Sequence, residues 1–316
     1  MTAVDAAVLH EYGEAPRYEE FAEPQAGPAQ VVVEVAAAAL HHLDLLKASG
    51  TFYIEQPLPS VVGTDGVGVA GGRRVYFEAV APHGSLAERS VAAADALFDV
   101  PDGLDDASAA ALGNSGLAGW LALSWRAGLQ PGDTVLVLGA TGQVGVVATQ
   151  AAKRLGAGRV VAAARAGERL ERMRERGADA VVSIEDDDLT ARIRDAAGGD
   201  VDVTVDSLWG EPAVAAIGAA ARFGRHVQVG HLAAPELGLA APAIRSKSLD
   251  VRGFMGQHPP LDVRREAYAR LGGLVARGEI VIDLERIPLA DVASAWERKR
   301  AASDGVKLVL IPKGDP

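Results

Sequence analysis

Between residues 134 and 229 the chain alternates short, β-branched runs with stretches of helical period. The runs Thr134–Leu138, Arg159–Ala163, Ala180–Ser183, Val201–Asp206 and Arg225–Val229 read as strands. The stretches near Gln143–Leu155, Glu168–Glu175, Asp188–Ala197 and Glu211–Ala221 read as helices between them. Strand–helix alternation of this kind predicts an α/β fold with a doubly wound parallel sheet. Ser248–Phe254 adds one further strand. The region from residue 1 to about 112 has a different texture and reads as mostly β. Val31–Val35, Gly66–Ala70 and Arg74–Phe77 are its strands, broken at Gly27-Pro28, Gly71-Gly72 and Pro82. Ala107 to Trp125 is rich in Ala and Leu and predicts one helix. Beyond 261 the pattern predicts a helix (Val263–Ala276), a strand (Ile280–Leu284), a helix (Ala290–Arg300) and a last strand (Lys307–Ile311).

The first of the alternating strands runs into Gly139-Ala140-Thr141-Gly142-Gln143-Val144-Gly145, and that turn opens a helix. Strand, glycine turn and helix in this order present backbone N–H groups and a helix N-terminus to a pyrophosphate. Ala140 stands where the common fingerprint has its first glycine. A ribose-reading residue is expected about 20 positions further on, at the end of the second strand. That place reads Ala162-Ala-Ala-Arg165, with Arg169 one helical turn later and no carboxylate before Glu168. An arginine can hold a 2′-phosphate through charge-assisted hydrogen bonds. The expected cofactor is therefore NADPH, with solvated helix-start arginines as the plainer alternative.

Composition narrows the partners. The 316 residues carry a formal charge of −11, which disfavours nucleic acid and anionic membrane surfaces. There is no cysteine, so disulfides, thiolate metal sites and thiol nucleophiles are excluded. The N-terminus has no basic and apolar leader pattern, and no window approaches the roughly 18 apolar residues of a membrane span. A cytoplasmic protein is the expectation.

Several ordered segments resemble the medium-chain dehydrogenase/reductase superfamily, in its zinc-independent, zeta-crystallin-like quinone oxidoreductase branch. They are Ala38-Ala-Leu-His-His-Leu-Asp44, Gly63-Thr-Asp-Gly-Val-Gly68, His83-Gly-Ser-Leu-Ala-Glu88, Gly116-Leu-Ala-Gly-Trp120 and the glycine turn. The resemblance covers almost the whole length. It implies a GroES-like, mostly-β catalytic domain (1–112 and 253–316) and a Rossmann NADP-binding domain (113–252). Relatives usually form homodimers through the last Rossmann strand, here Ser248–Phe254. On the cofactor side it implies Gly142, Gln143, Val144 and Gly145 for the pyrophosphate, and Arg165 and Arg169 for the 2′-phosphate. Ser207, Leu208, Gly230, His231 and Leu232 are implied at strand ends facing the nicotinamide, and Phe254 and Met255 as cofactor-side residues after the last strand. Lys307 matches a basic residue near the cofactor in relatives, with a solvated lysine as the alternative.

The zinc-dependent members need Cys and Gly-His-Glu ligands. His41 stands at the first place and Gly63-Thr64-Asp65 at the second, so no metal is expected; His41, His42, Asp44 and Asp65 form the alternative His/carboxylate set. Without a Lewis acid, reduction of a quinone or of an activated C=C is easier than alcohol oxidation. Such a site needs positioning, hydrogen bonds to the developing oxyanion and a proton source. The expected catalytic residues are His41, Tyr53 and Asn114. His41 stands where the branch has Asn, and could donate a proton or be an ordinary strand-end side chain. Tyr53 could reach the substrate mouth or lie in the core or rim. The expected function is NADPH-dependent reduction of a quinone or an α,β-unsaturated carbonyl. A trans-acting enoyl-thioester reductase and a non-catalytic NADPH-binding protein remain as alternatives.

Overall fold

The structure, a computed structural model, describes residues 3–301 and 305–313. In chain order the strands and helices are β1 (Ala3–Leu9), β2 (Arg17–Ala22), β3 (Gln30–Ala39), α1 (His42–Ala48), β4 (Ser60–Val61), β5 (Asp65–Ala70), β6 (Arg73–Glu78), β7 (Arg89–Ala93), β8 (Phe98–Asp99), α2 (Asp106–Leu112) and α3 (Asn114–Leu121). There follow β9 (Thr134–Leu138), α4 (Gln143–Arg154), β10 (Arg159–Ala164), α5 (Glu168–Glu171), β11 (Ala180–Ser183), α6 (Leu189–Ala197), β12 (Val201–Asp206), α7 (Gly210–Ala219), β13 (Ala220–Gln228), α8 (Ala241–Arg245) and β14 (Asp250–Gly253). The chain ends with α9 (Leu261–Ala276), β15 (Leu284–Pro288), α10 (Val292–Ala301) and β16 (Lys307–Ile311). Among the described residues no helix is long and apolar enough to cross a membrane.

The chain divides into two compact units, Met1–Ser115 with Tyr268–Pro316, and Gly116–Ala267. The first holds a small sheet ordered β2-β1-β4 and a larger one ordered β15-β16-β3-β5-β6-β8, with β7 also on β3. The larger sheet is antiparallel except for β15 beside β16. Its core gathers Leu9, Val33, Phe77, Leu86, Trp296, Leu308 and Leu310. The C-terminal strand thus completes a sheet begun by the N-terminal one hundred residues.

The second unit is the expected doubly wound sheet, ordered β11-β10-β9-β12-β13-β14 and parallel throughout. β9 has β10 on one side and β12 on the other, so the strand order reverses there. The carboxyl ends of β9 and β12 form the switch-point crevice where open α/β sheets bind ligands. Leu136, Leu138, Val161, Ile193 and Val201 fill the layer beneath α6 and α7.

Two expectations change. The helix predicted over Ala107–Trp125 is broken: α2 stops at Leu112, Gly113 (φ −44, ψ −124) redirects the chain, α3 follows, and Ala122–Ala127 is a π-helical turn. A Cβ on Gly113 would press on the carboxylate of Asp65 and the ring of Tyr76, so the break lets backbone approach a buried acid. The strand predicted over Ile280–Leu284 lies four residues later, as β15, where it pairs in parallel with β16 from Leu284↔Lys307 to Pro288↔Ile311. Periodicity alone could not phase it, because Ile280 to Ile287 is one mixed apolar run. The predicted helix Glu168–Glu175 is regular only to Glu171 and continues as turns.

Candidate active site

The glycine turn lies at the switch point. Gly142 is the N-cap of α4 in extended conformation and brings no side chain to the cap. A Cβ on Gly145 would collide with the carbonyl oxygen of Gly139. This close packing of helix against turn is what the third glycine of the pattern is for, and it leaves the α4 N-terminus open to an anion.

Beside the turn, β12 ends in a buried carboxylate that shapes the next loop. Asp206 Oδ1 accepts the N–H groups of Leu208 (2.8 Å) and Trp209 (2.9 Å), while Oδ2 lies 2.9 Å from His226 Nε2. Trp209 is thereby held at φ 60°, ψ −164°, a conformation that costs a non-glycine residue on the order of 1–3 kcal/mol. Ser207 is buried, and its Oγ has no hydrogen-bond partner among the described residues. A buried hydroxyl left this way, beside a glycine cradle, fits a polar ligand group.

The other expected cofactor residues group around the same strand ends. Gly230 packs on the Ser207 carbonyl, Leu232 N donates to Ser207 O at 3.2 Å, and Leu232 is 59% exposed. His231 is exposed, and Met255 is half-buried. Phe254 is buried at the end of β14 with its ring 6.3 Å from that of Trp125. At the end of β10, Arg165 is exposed. Arg169 Nη2 donates to Thr141 O in the glycine turn at 2.6 Å, so it is not merely a solvated helix-start charge. Sequence reading missed Glu185, whose carboxylate accepts from Ala166 N at 3.1 Å; its place after the third strand had no motif to mark it.

The first unit holds a second polar centre, wholly buried. His41 closes β3 and is the N-cap of α1; its N–H donates to Asp44 Oδ2 at 2.7 Å. Its ring Nε2 lies 2.5 Å from Asp65 Oδ1 and its Nδ1 2.7 Å from Lys307 Nζ. Lys307 Nζ also donates to Ser115 Oγ at 3.1 Å. Asp65 Oδ2 accepts from Tyr76 Oη (2.8 Å) and from the Asn114 N–H (2.6 Å). Thr64 Oγ1 donates to Asp44 Oδ1 at 2.6 Å and accepts from Lys47 Nζ at 3.1 Å.

The charges that shift most in this centre are those of Asp65 and Lys307. Burial pushes the Asp65 carboxyl up, but the His41 ring, the nearby Lys307 and the Asn114 N–H outweigh it and hold it below the usual range. Burial, with Lys299 as a second cation, brings the Lys307 amine down to about 7, against the opposing pull of Asp65 and Asp44. Lys307 is therefore not a solvated lysine.

Of the expected catalytic residues, His41 is central to this network and Asn114 joins it through its backbone. Tyr53 does not: it is 68% exposed, its ring 4.2 Å from that of Phe52. Ser115 enters the network unforeseen, since a lone Ser before a Gly-Leu segment carries no motif. Among the described residues no group of three or more His, Asp or Glu is arranged to hold a metal ion.

The chain is similar to several known proteins. A family model described as zinc-binding dehydrogenase matches residues 144–272. A quinone oxidoreductase of Pseudomonas aeruginosa is 29% identical over 311 residues, covering 93% of this chain and 95% of that protein. A phenolphthiocerol/phthiocerol polyketide synthase subunit of Mycobacterium tuberculosis is 33% identical over 302 residues, 90% of this chain, but the match spans only 14% of that much longer protein. Among solved structures, a quinone oxidoreductase of Pseudomonas syringae superposes with a TM-score of 0.86 at 25% identity, covering 98% of this chain and 100% of that one. A mycobacterial protein complexed with NADPH superposes with a TM-score of 0.85 at 25% identity, with the same coverage.

Proposed function

The chain belongs to the medium-chain dehydrogenase/reductase superfamily, a family of oxidoreductases, and we propose that it is an NADPH-dependent reductase of quinones or of α,β-unsaturated carbonyl compounds acting in the cytoplasm. The observation that carries this reading is the glycine turn at the switch point, with the partnerless Ser207 hydroxyl beside it and Arg165 and Arg169 at the end of the neighbouring strand. The backbone of Gly142–Gly145 would receive the pyrophosphate and Arg165 the 2′-phosphate, with Arg169 bracing the turn. Ser207, Leu208 and Gly230 would border the nicotinamide, with His231, Leu232, Phe254 and Met255 further out. When bound, the cofactor supplies a hydride. The protein's part is then to orient the acceptor and deliver a proton.

We read the enzyme as zinc-independent. Both ring nitrogens of His41 are engaged by Asp65 and Lys307, and the Thr64 hydroxyl is tied to Asp44 and Lys47. A catalytic zinc asks for three N, S or carboxylate ligands with an open position. The matched zinc-binding dehydrogenase segment lies outside these residues. Metal analysis of the purified protein at less than stoichiometric zinc supports this; one zinc per chain overturns it.

A second copy is the expected partner, at the outer edge of β14. Among the described residues that strand pairs with β13 alone, and Val251 is exposed on it. Replacing Val251 with Asp is expected to shift the protein from dimer to monomer by light scattering.

The deciding assay is NADPH oxidation with 1,4-quinones and simple enones. Turnover supports the reading, while tight NADPH binding with no turnover favours a non-catalytic NADPH-binding protein. The polyketide synthase relatives favour a second reading, a trans-acting enoyl-thioester reductase, and faster turnover of enoyl thioesters than of quinones would establish it.

A further inference from the structure

The buried chain Asp65–His41–Lys307–Ser115 ends on a hydroxyl that has a donor behind it and no acceptor ahead. Ser115 Oγ accepts from Lys307 Nζ, and among the described residues its own proton has no partner. His41 cannot be the last donor, because both of its ring nitrogens are occupied within the chain. Nε2 faces Asp65 Oδ1 and Nδ1 faces Lys307 Nζ, so the tautomer that donates from Nε2 to Asp65 leaves Nδ1 free to accept from the Lys307 ammonium. The Asp65 carboxylate, the His41 ring and the Lys307 amine therefore form one continuous buried hydrogen-bonded chain.

Resting on the reductase reading above, we propose that Ser115 is the proton donor to the reduced substrate and that Lys307 reloads it, with His41 and Asp65 holding the amine in place. In an enone the β-carbon gains the hydride, the C=C pair shifts to the bond between the α-carbon and the carbonyl carbon, and the C=O pair moves onto the oxygen. That oxygen takes the Ser115 hydroxyl proton while Oγ takes one from Lys307 Nζ. The N–H bond of the ammonium breaks, and a neutral amine remains, hydrogen-bonded to His41 Nδ1. A proton from water restores the ammonium before the next cycle. The product is an enol, which tautomerises to the saturated carbonyl; its two added hydrogens come from NADPH and from one water-borne proton.

The groups facing Lys307 fit this use. His41 comes from the end of β3, Asp65 from β5, Asp44 from α1, Lys299 from α10 and Ser115 from α3. On the neighbouring strand β15, Glu285 and Arg286 are exposed and paired with Arg298 and Asp105. Two cations against two carboxylates in a buried pocket leave the Lys307 proton transferable near neutral pH.

The test compares Ser115→Ala, Ser115→Thr and Lys307→Met with the unmodified enzyme, using NADPH and a simple enone. Wild-type kcat should fall as pH rises through about 7, as the ammonium is lost. Ser115→Ala should lose roughly 100-fold in kcat. It should also lose this pH dependence, with NADPH affinity unchanged, and Ser115→Thr should restore most of both. Nitrogen NMR of lysine-labelled protein, without cofactor or turnover, should find Lys307 titrating near neutrality and Lys307→Met should remove that signal. Lys307 titrating in the ordinary lysine range, or Ser115→Ala with wild-type rate and pH profile, overturns the relay while leaving the reductase reading intact. A wild type that binds NADPH but reduces no acceptor overturns the reductase reading, and the relay falls with it.

Discussion

Lys307 and His41 stand 266 positions apart in the chain and meet at 2.7 Å in the interior of one unit. The contact joins the start of β16 to the helix start that follows β3, so the amine is buried. Its folded value of about 7 against 10.5 for an ordinary lysine sets the sign of its effect on stability. Between these values the unfolded chain binds the extra proton, so stability rises with pH across that window and the full cost of burying the charge is felt below it. The slope approaches about 1.4 kcal/mol per pH unit in mid-window. Urea unfolding between pH 7 and 10 should show it, and Lys307→Met should flatten it.

Asp65 behaves in the opposite window. Its folded carboxyl lies below the ordinary 3.8, so the stability it contributes is present above that value and lost as pH falls through the lower, folded one. Removing one partner of a buried pair costs about 3–5 kcal/mol. Asp65→Asn should therefore lose stability on that scale near neutral pH. It should also lose less than wild type on acidification, because the titrating group is gone. Chemical unfolding at neutral and acid pH reads both.

The two centres were unequally legible in the sequence. The glycine turn, the proposed cofactor cradle, is a local pattern: β9, the turn and α4 are consecutive, and the crevice follows from strand order. The buried centre is not local. His41, Asp65 and Lys307 are brought together by the pairing of β3 with β5 and β16, which spacing along the chain does not encode. Ser115 and the break at Gly113 lie in the Gly113-Asn-Ser-Gly116 stretch, a turn signal that the surrounding Ala- and Leu-rich run masked. The demand of Asp65 for two more donors, met by Tyr76 and Asn114, explains the break.

Gly113 is a second test of that argument. Its backbone conformation (φ −44, ψ −124) lies outside the α and β regions, so a side chain there meets both an unfavourable backbone conformation and a lack of space. A methyl group there would press on the Asp65 carboxylate and the Tyr76 ring. Gly113→Ala should destabilise the fold by about 1–3 kcal/mol, the usual cost of overpacking. It should also displace the Asn114 N–H from Asp65. A lowered thermal midpoint with NADPH affinity retained is the expected outcome.

Arg165 and Arg169 should separate by their effects on the two nicotinamide cofactors. Arg165 is exposed at the end of β10, with its charge available to a phosphate, whereas Arg169 holds the Thr141 carbonyl of the glycine turn. A hydrogen bond to a charged group contributes roughly 1.5–3 kcal/mol, or about 10- to 100-fold in affinity. Arg165→Ala should weaken NADPH by that factor and leave NADH unchanged, because NADH has no 2′-phosphate. Arg169→Ala should loosen the turn that meets the pyrophosphate, which both cofactors share, and so weaken both. The Glu185 carboxylate, which accepts from Ala166 N beside Arg165, adds a third variant. Glu185→Gln removes a negative charge next to the phosphate position and should tighten NADPH while leaving NADH nearly unchanged. Fluorescence titration of each variant with each cofactor distinguishes these outcomes, and an Arg165→Ala protein with unaltered NADPH affinity would remove the assignment of the 2′-phosphate to Arg165.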